Sequence, residues 1–248
     1  MHPYLDWPGP IAFAHRGGNT VAPENTLAAF EHAVSLGYRY LETDVHLTTD
    51  GVLVAFHDAD LKRTCGIDAR IGDMSAADVS TARVDAEYEI PLMSELFELF
   101  PDARFNIDAK SDDAVEPLTR LVTEHAALDR VCLASFSLRS LRRMRAALGG
   151  RLITNMAPTE VAALRVVGRP IGRSTRCAQV PTSRGPIRVV DERFVAAAHR
   201  CGSPVHVWTI NDRDEMTRLL DLGVDGIMTD DCDLLRSVLV ERGQWVDG

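Results

Sequence analysis

Short apolar runs that end in polar residues alternate with stretches of helical periodicity along most of the chain. The apolar runs read as strands, and apolar positions recurring at i, i+3, i+4 and i+7 read as helices. The first run, IAFAHRG, ends at His15. PENTLAAFEHAVSLG follows: Asn25 or Thr26 caps a helix, Leu27, Phe30, Ala33 and Val34 form its apolar stripe, and Gly37 ends it. Main strands are predicted to end near His15, Asp44, Lys110, Phe136, Thr154, Val180, Trp208 and Thr229, each followed by a helix. Eight βα units in 248 residues predict an α/β chain forming a single (β/α)8 barrel, one domain over residues 1–248. A doubly wound sheet would need a Gly-rich phosphate turn after its first strand, and HRGGN followed by VAPEN lacks the GxGxxG spacing.

Residues 40–58, YLETDVHLTTDGVLVAFHD, interrupt the alternation. Asp50-Gly51 is strong turn chemistry, so this stretch reads as a strand, a tight turn and a returning arm over residues 52–57. Residues 59–92 are polar and rich in turn signals, and are expected to form an excursion over one end of the barrel.

A barrel gathers the C-terminal ends of its strands at one mouth, where active sites sit. Glu42 and Asp44 are two apart on a strand and point to the same side. Two buried anions demand a cation between them, and a hard divalent metal is the simplest. Asp108 and Lys110 repeat the spacing on the next strand: Asp108 is a third carboxylate, and Lys110 either neutralises the cluster or holds a phosphate oxygen. The hairpin returns His57 and Asp58 opposite Asp44, and His15 ends strand one, giving two imidazoles that titrate near neutral pH. Asp58 either orients His57 or caps the excursion. Arg16 has the planar fork that grips phosphate. Glu24 is placed against substrate hydroxyls or Arg16, Asn25 as a helix cap, and Trp208 as an apolar wall beside the substrate. His206, two residues deeper than Trp208, is expected to be a barrel-interior group. His2, His32, His46, His125 and His199 offer no partner in the sequence, and Arg139, Arg142, Arg143 and Arg145 read as a solvated helix face.

Hydrophobic residues make up 46% and charged residues 25%, the balance of a soluble globular chain. A net charge of −9 argues against nucleic acid or an anionic membrane as the main partner, so an anionic substrate needs a locally positive site. Five widely spaced cysteines, an odd number without CxxC, predict no disulfide framework and fit a cytoplasmic location. MHPYLDWPGP has no secretory-signal pattern, and no apolar run approaches the ~20 residues of a membrane span.

HRGGNTVAPENTLAAF followed by LETDVHLTTDGVLVAFHDADLKRT closely resembles the glycerophosphodiester phosphodiesterase family. That family's blocks HRG, PENT, ExDV, TxDG and HDxxLxRT stand here in order, and NIDAK, VWTIND and GVDGIMTD match later, weaker blocks. The resemblance implies a barrel using one divalent cation, Ca2+ or Mg2+, to hydrolyse glycerophosphodiesters to sn-glycerol 3-phosphate and an alcohol. It implies His15 and His57 as the acid–base pair, Glu42 and Asp44 as metal ligands, and Arg16 and Lys110 on phosphate. The family's third ligand is usually Glu in an ExK pattern; here it is Asp108 in DAK, a shorter arm. Two alternatives use the same residues. One is a lysophospholipase D or phospholipase C-like enzyme, for which an apolar exposed rim is expected. The other is a non-catalytic metal- or phosphate-binding barrel, expected to lack at least one of His15, Glu42, Asp44 and His57, all of which are present.

Overall fold

The computed structural model describes residues 2–169 and 176–247. Eight parallel strands close into a barrel: β1 (Ile11–Ala14), β2 (Tyr40–Leu47), β3 (Arg104–Ala109), β4 (Val131–Ala134), β5 (Ile153–Asn155), β6 (Arg176–Pro181), β7 (Val205–Trp208) and β8 (Gly226–Thr229). Each strand pairs with its sequence neighbours, and β1 pairs with both β2 and β8, so no parallel edge is left open. The helices between them are α1 (Leu27–Ser35), α2 (Met93–Leu99), α3 (Val115–Glu124), α4 (Leu138–Leu148), α5 (Pro158–Val167), α6 (Glu192–Arg200), α7 (Arg213–Asp221) and α8 (Cys232–Glu241).

Two hydrophobic layers follow from the period-two alternation of the strands. Outward positions such as Leu41, Val45, Phe105, Leu133 and Val207 are buried with the helices in the main core. Inward positions Phe13, Tyr40, Cys132, Ile153, Cys177 and Met228 form a separate cluster with Tyr4. Tyr4 lies in a short turn at Pro3–Leu5; its carbonyl accepts from Tyr40 Oη at 2.6 Å, and its ring meets the Tyr40 ring edge-on at 5.3 Å. An aromatic plug therefore fills one end of the barrel interior, and the polar inward residues are displaced toward the other.

The returning arm, Leu53–Ala55, pairs antiparallel with β2, with Val45 opposite Ala55. The excursion after it carries a feature that its polar composition did not announce. Val54, Phe56, Leu61, Ile71, Val79, Ala82, Val84 and Ile90 form a small apolar core of their own. Short helices at Lys62–Cys65 and Ala76–Val79 and a turn at Ile71–Asp73 hold the segment, and Asp50 Oδ1 of the hairpin turn accepts from Ala76 N at 2.9 Å. Several sequence expectations are corrected here. Thr26, not Asn25, caps α1, accepting from Ala29 N at 3.3 Å. Asn25 has a φ of 56° and accepts from buried Thr43 Oγ1 at 2.8 Å, tying the loop before α1 to β2. Arg145 is no part of a solvated face: it packs inward to donate to Thr154 Oγ1, Asn155 O and Glu160. The unassigned histidines have partners: His32 with Asp233, His199 with Asp225, His46 with the His57 carbonyl, Tyr4 N donating to His2, and His125 against the Phe97 ring.

Candidate active site

The β2–β3 pairing puts Glu42 level with Asn106 and Asp44 level with Asp108, so the three acids project from two adjacent strands at neighbouring heights. All three are buried. Lys110 Nζ lies 2.6 Å from Asp44 Oδ1 and 2.8 Å from Asp108 Oδ2. Burial, reinforced by the Asp44 charge, pushes the Glu42 carboxyl up to about 7. Burial also raises Asp108. For Lys110 burial acts downward, but Asp108 and Asp44 outweigh it and raise the ammonium's pKa.

After β1 the chain makes a tight turn with Arg16 at φ 54° and Gly17 at φ 81°. A Cβ on Gly17 would stand 2.9 Å from Phe30 N, so only glycine lets this turn lie against α1. The turn aims Arg16 N at Glu42 Oε2, 3.1 Å away. The Arg16 side chain reaches Glu24 Oε1 at 3.0 Å and brings its Nε within 3.3 Å of Asp44 Oδ2. His15 Nε2 is 3.8 Å from Glu42 Oε2, and its Nδ1 is 2.6 Å from Asp230 Oδ1. Burial pulls the His15 pKa down, but Glu42 and Asp230 more than offset it and the net shift is upward. Asp230 Oδ2 in turn accepts from Asn211 Nδ2 at 2.8 Å.

His57 lies two residues beyond the returning arm, its Nδ1 2.6 Å from Asp58 Oδ1. A carboxylate only accepts, so Nδ1 carries the proton and Nε2 is left to act on a ligand. Asp58 Oδ2 accepts from Arg63 Nε at 2.6 Å, and Arg63 with His57 holds the Asp58 carboxyl down at about 2. Arg63 also donates to Glu24 Oε1 at 2.5 Å.

His15, Arg16, Glu42, Asp44, His57, Asp108, Lys110 and Trp208 all line one cavity of about 400 Å³ at the strand ends. Glu24 does not line it; it stands behind, shared by Arg16 and Arg63. The far wall is apolar, with Phe136, Met156, Val161, Val180, Val189 and Trp208. Phe136 is 62% exposed and meets Trp208 edge-on at 6.0 Å. His206 is deeper and fully buried, as its parity predicts. Sequence reasoning missed Asp230, Asn211 and Arg63. Asp230 directly follows the predicted end of strand eight, and Arg63 lies inside HDADLKRT, so position alone pointed to both.

Three carboxylates suit a hard oxygen-seeking cation. Among the described residues, buried Asp108 Oδ1 accepts no hydrogen bond, and buried Asp44 Oδ2 accepts none although Arg16 Nε lies 3.3 Å away; Asp108 Oδ1 is the acceptor that a cation would satisfy. The acids are not yet a closed cage. Among the described residues no three of His, Cys, Asp and Glu converge tightly enough to hold an ion, and Lys110 takes one oxygen from each aspartate.

Residues 15–234 match the model of the glycerophosphoryl diester phosphodiesterase family. A probable glycerophosphodiester phosphodiesterase 2 of Mycobacterium tuberculosis is 38% identical over 98% of this chain and 95% of its own. A putative glycerophosphoryl diester phosphodiesterase from Silicibacter pomeroyi superposes with a TM-score of 0.82 at 22% identity, covering 99% of this chain and all of that one. An Oleispira antarctica phosphodiesterase, solved with the product sn-glycerol-3-phosphate, superposes with a TM-score of 0.78 at 23% identity, covering 94% of this chain and 97% of that one.

Proposed function

Because the chain belongs to the glycerophosphoryl diester phosphodiesterase family, we propose that it hydrolyses water-soluble glycerophosphodiesters to sn-glycerol 3-phosphate and an alcohol, with His15 and His57 as its acid–base pair. The observation that carries this reading is the meeting, in one cavity, of two imidazoles, each anchored through Nδ1 by an aspartate, with three buried carboxylates.

Glu42, Asp44 and Asp108 would hold the cation, Ca2+ or Mg2+; when bound it supplies Lewis-acid polarisation of a phosphoryl oxygen. Arg16 and Lys110 are the cavity's nearest cations to that acid wall, and on phosphate they offset charge building on the equatorial oxygens. One imidazole takes the proton of the attacking hydroxyl, from water or from the neighbouring glycerol carbon, through its free Nε2; the glycerol hydroxyl would close a cyclic phosphate, which water then opens to glycerol 3-phosphate. The other gives its proton to the departing alkoxide. Asp58 and Asp230 hold each ring at its other nitrogen, so neither ring turns away between the two transfers. Trp208 faces the substrate's carbon skeleton from the apolar wall. Asp108 reaches less far than a glutamate would, which favours Ca2+, the ion more tolerant of irregular oxygen geometry.

Purified protein incubated with glycerophosphocholine should release glycerol 3-phosphate, and a chelator should stop it. Absence of chelator-sensitive turnover on any glycerophosphodiester overturns the reading. The exposed Phe136 at the end of the apolar wall favours a second reading, a lysophospholipid substrate whose acyl chain lies along that wall; faster turnover of a lysophospholipid than of glycerophosphocholine would establish it.

A further inference from the structure

Arg63 comes from the excursion, outside the barrel frame, yet its guanidinium bridges two loops of the mouth. Nε donates to Asp58 Oδ2 at 2.6 Å and a terminal nitrogen donates to Glu24 Oε1 at 2.5 Å. Asp58 holds His57, and Glu24 also accepts from Arg16, whose backbone N–H is bound to Glu42. A continuous polar chain therefore runs from His57 through Asp58, Arg63 and Glu24 to Arg16, the residue beside His15. Without Arg63, the described contacts leave the Asp58 carboxylate joined to His57 alone and the Glu24 carboxylate joined to Arg16 alone.

The backbone beneath Arg63 is fixed. Leu61 is fully buried in the excursion's own apolar cluster, its N–H donates to Ala69 O at 2.9 Å, and its carbonyl accepts from Cys65 N at 3.0 Å. A packed unit thus presents the guanidinium from a rigid base, the arrangement a supporting shell needs to hold a catalytic group to fractions of an ångström.

We propose that Arg63 is a positioning residue that sets His57 in register with the Arg16–His15 turn by clamping Asp58 to Glu24. This rests on the phosphodiesterase reading above. It gives the excursion a task in the reaction: the segment's small core exists to hold one guanidinium over the join between two loops. Lysine would not serve equally, because a single ammonium lacks the planar fork that meets two carboxylates at once.

The test uses the full chain with glycerophosphocholine and added divalent cation. Arg63→Gln is expected to lower kcat by about 10- to 100-fold, as loss of a supporting partner typically does, with KM within about threefold and the thermal midpoint nearly unchanged. Arg63→Lys should recover part of the loss. The Asp58→Asn/Arg63→Gln double variant should be little slower than Asp58→Asn, because the two act as one unit. In protein carrying 15N-histidine, the downfield Nδ1 proton of His57 should move upfield in Arg63→Gln. Wild-type kcat in Arg63→Gln with an unmoved resonance overturns the proposal, as do fully additive losses in the double variant. A kcat loss that only follows a lowered thermal midpoint, with the resonance unmoved, also overturns it. Should the wild type turn over no glycerophosphodiester, the functional reading fails, while the resonance still decides what Arg63 does. If Arg63→Gln does not fold, Arg63→Lys and its resonance carry the same decision.

Discussion

Lys110 Nζ lies 2.6 Å from Asp44 Oδ1, an ammonium pressed onto a carboxylate that is 2% exposed. Its other contact, Asp108 Oδ2 at 2.8 Å, puts the same charge between two of the three acids proposed to bind metal. Lys110 therefore does the neutralising that a divalent ion would share. Removing one partner of such a buried group leaves an uncompensated charge, at a cost of about 3 kcal/mol or more. Lys110→Gln is expected to lower the thermal midpoint clearly in chelator and to recover much of the deficit when Ca2+ or Mg2+ is added. Equal deficits with and without the ion would show that the acids do not share a cation site.

The two imidazoles should fail separately and completely. His15→Asn and His57→Asn each remove one proton transfer, and each is expected to cut kcat on glycerophosphocholine by ~10³-fold with little change in KM. Combining them should cost little more than either alone, since the reaction needs both transfers. Residual turnover near the wild-type rate in either variant would remove that histidine from the reaction.

The part of this site legible in the sequence was the part written in strand periodicity. Glu42 and Asp44 share parity, and Asp108 and Lys110 repeat it one strand over; once a barrel is inferred, all four must face the mouth. Long-range partners left no such trace. His15 and Asp230 are 215 residues apart and meet only because β1 pairs with β8. The excursion's own small core went unread because Leu61, Ile71, Val79, Ala82, Val84 and Ile90 sustain neither a helical nor a strand period along the segment, although they pack together. Arg145 was misread for a different reason: a run of arginines on a helix resembles a wet surface until a buried acid, Glu160, is known to wait on the next helix.

The apolar wall makes a prediction about binding rather than rate. Trp208 lines the apolar wall of the cavity and is proposed to meet the carbon skeleton rather than the reacting atoms, so its contribution should be nearly the same in ground and transition states. Trp208→Ala is expected to raise KM for glycerophosphocholine about tenfold and to leave kcat within threefold, as loss of uniform binding does. Parallel assays with a lysophospholipid decide whether Phe136 belongs to the same surface. If Phe136→Ala abolishes lysophospholipid turnover while sparing glycerophosphocholine, the wall is an acyl-chain track.

His206 gives the fold its own pH dependence, separate from catalysis. The ring is fully buried beside Phe13, its Nδ1 is 3.4 Å from Gln179 Nε2, and its Nε2 has no hydrogen-bond partner among the described residues. Burial pushes its pKa down to about 4, against 6.5 in the unfolded chain. Between those values the unfolded chain binds a proton that the folded chain refuses, so falling pH favours unfolding. Neutral His206 thus contributes stability in full above about pH 6.5, and roughly 2 kcal/mol of it should be gone by pH 5. Glu42 works in the opposite sense. Its carboxyl is raised to about 7, so its contribution is present below its ordinary 4.5 and lost as pH rises through 7. The wild-type profile mixes the two, and the difference between wild type and His206→Gln isolates the histidine. Urea unfolding at pH 7.5 and pH 5, both in chelator, should show the wild type losing about 2 kcal/mol more than the variant on acidification. Parallel losses in the two proteins would mean that His206 already takes up a proton in the folded barrel.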